Sequence, residues 1–306
     1  MSTLEEQAVA AMQPKKTTGA PRTTENYFVR SLSNALITAI VVVIALLWSV
    51  PTFGLFVSSF RPPQLISTTG WWQGLIPPWN FTITNYMQVI TAQGMGQAFL
   101  NSLIISIPGT LFPLLLGSFA AFAFAWIKFP GRDFFFFGIV AMLVIPGQIA
   151  LVPLLQIFTA IGFTGQYWAV WIAHTAFGLP FAVFLLRNFF AALPRDLLES
   201  AYVDGASNFR SFWTIVIPLS VPALASLAIF QFMWVWNDLL IALIFLGGNP
   251  QRAPMTLNIA DLVGTYGNNY QVLTAAAFLS MALPLIVFFS MQRYFVRGIL
   301  AGSVKG

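Results

Sequence analysis

Two short stretches of this 306-residue chain have the residue types and spacing to do chemistry. The first is PRDLLESAYVDGASN, residues 194–208, a compact polar block between two long apolar runs. Its Glu199 offers a charge to a basic partner. Its Ala201, Gly205 and Ala206 are small enough for another protein's cleft to close around the backbone. The second is QFMWVWND, residues 231–238, which places Gln231, Trp234, Asn237 and Asp238 within an otherwise apolar run. A charge in such a place is costly and by default functional. Sugars bind through hydrogen bonds to their hydroxyls and through stacking of their apolar faces on aromatic rings, so tryptophan beside Asn and Asp suits a sugar path. The structural alternative for Asp238 is a carboxylate capped by its neighbours or solvated near an outer mouth.

Other chemistries are excluded. Cysteine is absent, which removes disulfides, thiolate metal sites and cysteine nucleophiles. With one histidine, His174, no metal site is expected, and that histidine reads as a satisfied polar side chain at a helix contact in preference to a ligand or proton relay. A nucleotide-binding loop needs G-x-x-x-x-G-K-[ST], so that backbone amides and lysine hold phosphate. None of the four lysines (Lys15, Lys16, Lys128, Lys305) has that context, so ATP chemistry would have to come from a partner. There is no G-x-S-x-G elbow and no pair of membrane aspartates, so no catalytic residue is expected. Gln148, Gln156, Asn101 and Ser102 either line a path or join helices.

The elements that must position these groups follow from composition. Hydrophobic residues make up 58% of the chain and charged residues 8%, against about 25% charged in a soluble domain. Lipid is the solvent that suits such a chain. Six apolar runs long enough to span it lie near 32–59, 98–127, 134–159, 167–186, 213–246 and 272–291. The fifth is too long for one straight span, so part of it should tilt or leave the hydrocarbon. Pro51, Pro108, Pro113, Pro146, Pro180, Pro222 and Pro284 read as interior kinks. All of the 14 basic residues except Arg61 and Arg252 fall on one side of this topology, which places both termini in the cytoplasm. The basic excess is thus a topology signal and not a nucleic-acid footprint. Residues 1–31 read as a loosely ordered tail, with 32–306 as the membrane domain. The outer segment 61–97 carries Trp71, Trp72 and Trp79, for interfacial anchoring or for an outer partner. The phenylalanines at 134–137 face lipid or pack inward.

Within the first block, Pro194 suits a helix start and Asp196 and Glu199 suit its positive end. Leu198, Ala201 and Tyr202 recur at helical spacing, Gly205 permits a sharp turn, and a second helical run leads from Ser207 to Pro218. Such a segment either joins two spans or presents a small face to a partner.

ESAYVDGAS, Glu199 to Ser207, followed by Phe212, Ile215 and Pro218, resembles the E-A-A-x-x-x-G signature of bacterial ABC importer permeases. Ser200 stands where alanine is usual. RNFFAALPRDLL (187–198), WND (236–238), RAPMTL (252–257) and RGILAGSVKG (297–306) are similar to the shorter of the two paired subunits of maltose-type carbohydrate permeases. The resemblance covers about residues 32–306. It implies an all-α polytopic protein of the bacterial cytoplasmic membrane with six transmembrane helices and the type I importer permease fold. It implies a coupling helix at about 195–208, with Glu199, Ser200, Ala201, Asp204, Gly205 and Ala206 engaging a cytoplasmic ATPase. The implied partners are a homologous second permease, two copies of the ATPase carrying ATP and Mg, an extracytoplasmic solute-binding protein, membrane lipid and a sugar substrate, with no cofactor on this chain. An α-glucoside fits the family. The rival readings are an ABC permease for a non-sugar solute and an ion-coupled secondary transporter, which would need more buried ionisable groups than one aspartate.

Overall fold

The computed structural model of the chain describes residues 24–92, 94–265 and 270–303; the tail before Thr24 and the last three residues lie outside the described residues. The chain divides into a segment ending at Phe53 and a larger unit from Gly54 onward. No strand occurs among the described residues. The first helix, α1 (Thr24–Ser59), already begins within the stretch expected to be loose, and it continues through Pro51. From Ala35 to Phe53 its side chains are exposed, Trp48 most of all at 81%.

In the larger unit the long elements are α2 (Met95–Trp126), α3 (Arg132–Val144), α4 (Gly147–Ala160) and α5 (Tyr167–Ala191). They are followed by α6 (Arg195–Val203), α7 (Asn208–Leu219), α8 (Val221–Trp236), α9 (Leu240–Phe245), α10 (Met255–Thr265) and α11 (Tyr270–Ser303). Among the described residues of the whole chain, four helices, α1, α2, α5 and α11, contain stretches long and apolar enough to cross a membrane. The third apolar run differs from the simple span expected of it, and the fifth, expected to tilt or leave the hydrocarbon in part, is bent. α3 and α4 meet at 101°, and α7 and α8 at 78°. The first break falls at Pro146, which precedes α4 and does not kink a continuous helix. Pro222 likewise sits at the start of α8, where its missing N–H costs nothing. Pro153 is the interior proline of α4. The fifth run breaks again after Trp236, before α9, so its length is absorbed by three helical pieces.

Helices in lipid gain little from hiding apolar surface and associate by close packing of small residues. α2 and α5 form the spine on that principle. A Cβ added at Gly117 would lie 2.7 Å from the Cβ of Ala182, so the two backbones touch where neither can give way. Below this contact a cluster of Ala121, Phe122, Leu186, Phe190, Phe212 and Leu227 joins α2, α5, α7 and α8. Near the opposite end Ile105, Leu151, Val170, Val235 and Phe245 join α2, α4, α5, α8 and α9.

The segment after α1 is ordered by polar contacts. Arg61 is buried and donates to the Gly70 carbonyl at 2.9 Å and to the Thr69 hydroxyl. Asn85 donates to the carbonyls of Ser59 and Arg61, both at 2.9 Å. Trp72 and Trp79 remain exposed. Of the four phenylalanines at 134–137, three are exposed and Phe136 turns inward, beneath the Arg187 guanidinium at 4.7 Å.

Asn101 and Ser102 join elements. The Asn101 amide donates to the carbonyls of Gln251 (2.9 Å) and Ala253 (3.0 Å), and its oxygen accepts from the Tyr167 hydroxyl at 2.9 Å. Ser102 accepts from the Met255 N–H at 2.9 Å. Arg252 donates to the Gly165 carbonyl and lies over the Tyr167 ring at 5.6 Å. The RAPM stretch is thereby docked on α2 and α5.

Candidate functional site

The polar block forms a helix, a stop and a restart. Pro194 precedes α6 with extended backbone, and Asp196 occupies its first turn. Leu198 is fully buried among Phe190, Phe212 and Val216, and it pins α6 to the ends of α2, α5 and α7. Glu199, Ser200 and Asp204 are exposed, Ala201 is partly buried, and Val203 is 87% exposed. Partial burial pushes the Tyr202 hydroxyl above its ordinary pKa. Ser200 donates back to the Asp196 carbonyl, so the serine that replaces alanine uses its hydroxyl within its own helix.

The stop is a Schellman cap. The Gly205 N–H donates to the Tyr202 carbonyl at 3.0 Å, and the Ala206 N–H to the Ala201 carbonyl at 2.9 Å. Gly205 holds φ +79°, and a Cβ built there meets nothing within 4 Å. Glycine is therefore demanded by the backbone, not by crowding within this chain. Ser207 then caps α7, its hydroxyl accepting from the Arg210 N–H at 3.3 Å. Phe212–Val216 makes a π-helical turn within α7, a distortion frequent at functional sites. Gly205, Ala206 and Ser207 thus each have a local backbone task, while the Glu199 and Asp204 side chains are exposed and Ala201 and Ala206 are partly buried.

The second group surrounds the break between α8 and α9. Asp238 Oδ2 accepts from the N–H groups of Ile241 (3.0 Å) and Ala242 (3.2 Å), capping α9. Its backbone carbonyl accepts from the Thr256 hydroxyl at 2.7 Å. Asp238 and Trp234 also line a cavity of about 390 Å³ with Gln148, Phe177 and Pro180. Capping and cavity lining, posed as alternatives from the sequence, coexist. Asn237 is exposed, and its amide donates to the Met233 carbonyl at 2.7 Å. Gln231 is buried away from this cavity's lining, donates to the Gly109 carbonyl at 3.2 Å and fills the space above Gly178. Trp236, also buried, turns into a different core and donates to the Ser280 carbonyl at 3.1 Å.

His174 departs from the expectation of a satisfied polar side chain. It is fully buried and neither ring nitrogen makes a hydrogen bond. Its Nε2 lies 3.8 Å from Asp238 Oδ2, beyond hydrogen-bond reach, and its ring meets Trp234 edge-on with centroids 5.5 Å apart. Sequence reasoning did not bring these two residues together, because 64 positions of helix and loop separate them (174 to 238). Among the described residues no cluster of side chains is arranged to hold a metal ion.

A helical membrane bundle with a capped helix exposed at one end, and a polar break within a span, has the form of a transport subunit. Residues 113–301 match the family of binding-protein-dependent transport system inner membrane components. The chain belongs to that family, whose members are transporter components and not catalytic enzymes. It is 51% identical to the osmoprotective compounds uptake permease protein GgtD of Synechocystis sp. over 87% of this chain and 90% of that protein. It is 52% identical to the alpha-glucoside transport system permease protein AglG of Rhizobium meliloti, over 75% of this chain and 62% of that protein. A chain of a bacterial ABC transporter involved in the import of the acidic polysaccharide alginate shares the fold, with a TM-score of 0.73 and 21% identity over 90% of this chain and all of that one.

Proposed function

We propose that this chain is one of two homologous permease subunits of an ATP-driven carbohydrate importer in a bacterial cytoplasmic membrane. The observation that carries the proposal is α6: anchored through Leu198, stopped by Gly205, and exposed along Glu199, Ser200, Val203 and Asp204. A helix so held transmits a push to the ends of α2, α5 and α7 without deforming. The basic residues beside it, Arg187, Arg195 and Arg210, support a cytoplasmic position for that end. Two copies of an ABC ATPase carry the ATP and Mg, and one of them receives the coupling helix at about 195–208, with Glu199 facing a basic residue. Residues 32–306 then make six spans with both termini inside, the bent pairs α3–α4 and α7–α8 each counting as one. An extracytoplasmic binding protein delivers substrate to the side carrying Trp72 and Trp79.

A sugar is favoured by the alpha-glucoside permease relative and by the pairing of Trp234 with Asp238 on one cavity wall. The substrate path on this subunit runs past Trp234, Asp238 and Gln148, with Asn237 at its edge and Gln231 holding the helices that frame it. The osmoprotective-compound relative supports a second reading, a small compatible solute. The test is to purify the complex with its binding protein and screen sugars and compatible solutes for stimulation of ATP hydrolysis. An α-glucoside should stimulate. Stimulation by compatible solutes alone would select the second reading, and failure of any ATPase to co-purify would defeat both.

A further inference from the structure

His174 has no place in the coupling device or in the path as described, yet it occupies one of the most confined positions of the bundle. It is fully buried on α5, a helix whose neighbours approach closely at the same level. A Cβ added at Gly109 would lie 3.1 Å from Val235 and 3.6 Å from the His174 Cβ, and one added at Gly178 would lie 2.6 Å from the Gln231 amide. α2, α5 and α8 are therefore fixed against one another around this imidazole. Neither ring nitrogen hydrogen-bonds another group of the protein, which is costly for a buried polar side chain.

Its surroundings give the imidazole an object. Nε2 faces Asp238 Oδ2 at 3.8 Å, and the ring edge abuts the Trp234 indole at an interplanar angle of 87°. These are the two residues that put a hydrogen-bonding group and an aromatic face on the cavity wall. Asp238 Oδ2 is already committed to two backbone N–H groups of α9. With that oxygen held, its other carboxylate oxygen is the one left to receive a ligand hydroxyl.

We infer that His174 is a positioning residue for substrate recognition, fixing the Asp238 carboxylate and the Trp234 ring so that a hydroxylated ligand in the adjacent cavity meets both in one orientation. This rests on the proposed path through that cavity. His174 itself is too deeply buried to touch the ligand. Its contribution is to reduce the number of carboxylate and indole orientations that binding must select.

The test uses the assembled transporter with its binding protein, in vesicles, and measures uptake of an α-glucoside and its half-saturation. Co-purification of the ATPase serves as the control for assembly. His174→Leu removes both nitrogens with a side chain that fits the site, whereas His174→Gln keeps an amide near the position of Nε2. The half-saturation should rise about threefold in His174→Leu, toward the low end of what a polar interaction contributes, and His174→Gln should recover most of that. In the double variant His174→Leu/Asp238→Asn the combined effect should be clearly smaller than the product of the two single effects, because His174 acts in part through Asp238. Additive effects, or an unchanged half-saturation in His174→Leu while Asp238→Asn is impaired, would overturn the inference and leave the path standing. Unchanged half-saturation in both Asp238→Asn and Trp234→Ala would overturn the path itself.

Discussion

Replacing Gly205 separates two reasons for a glycine in the loop that an ATPase is proposed to grip. Within this chain the reason is conformational. φ is +79° and a Cβ has open space around it. A non-glycine residue in the left-handed region costs about 1–2 kcal/mol, which divides the ratio of closed to open loop by about 5 to 30. The loop so loosened holds the two hydrogen bonds that end α6, Gly205 N–H to Tyr202 and Ala206 N–H to Ala201. Asparagine tolerates the left-handed region better than alanine although it is larger. Coupling, measured as substrate-stimulated ATP hydrolysis by the purified complex, should therefore rank Gly205 first, then Gly205→Asn, then Gly205→Ala, with Gly205→Val lowest. If Gly205→Asn were worse than Gly205→Ala, side-chain size in a partner's cleft would be the governing factor and the conformational argument would fail.

Other substitutions test separate parts of the account. Leu198→Ala removes the buried anchor of α6 at a cost of about 2–5 kcal/mol; ATPase recovery on purification should fall, while Leu198→Met should retain it. Gly117→Ala forces apart α2 and α5 at a contact with no flexible end, so the thermal midpoint of the purified complex should drop, and Ala182→Gly in the same chain should restore it. Asn101→Leu leaves the Gln251 and Ala253 carbonyls and the Tyr167 hydroxyl without that partner, at about 1–3 kcal/mol for each group left unsatisfied; proteolysis near Arg252 should accelerate. Asp238→Ala removes the cap of α9, worth about 1 kcal/mol, and should impair uptake while the complex still assembles.

Much of the helical content was legible because lipid imposes a simple rule: long uncharged runs must be helical to satisfy their own backbone. The helix boundaries within residues 194–208 were legible for a different reason. Pro194, Gly205 and Ser207 are boundary residues whose side chains, or lack of them, act on the adjacent backbone, so the start, stop and restart of α6 and α7 are written locally. The breaks at Pro146 and Ser220 were not legible as breaks, because a proline in an apolar run reads equally as a kink or as a new helix start, and neighbouring helices decide between them. Gln231 and Trp236 could not be separated from Trp234 and Asp238 by sequence, since which face of α8 meets the cavity depends on where α2 and α11 pack. His174 and Asp238 are brought together only by tertiary structure. Asn101 and Ser102 likewise acquired a role once the RAPM stretch was found docked upon them.

The central claim is that a cytoplasmic ATPase engages the exposed side of α6. The chain contains no cysteine, so Val203→Cys, at a position 87% exposed, supplies the one thiol on this subunit. A short bifunctional thiol–amine cross-linker applied to the assembled complex should yield an adduct of this chain with the ATPase subunit at Val203→Cys, and none from Val144→Cys, which is 83% exposed on α3. An ATPase adduct absent at residue 203, or labelling of that cysteine in intact cells by a reagent that cannot cross the membrane, would contradict the account.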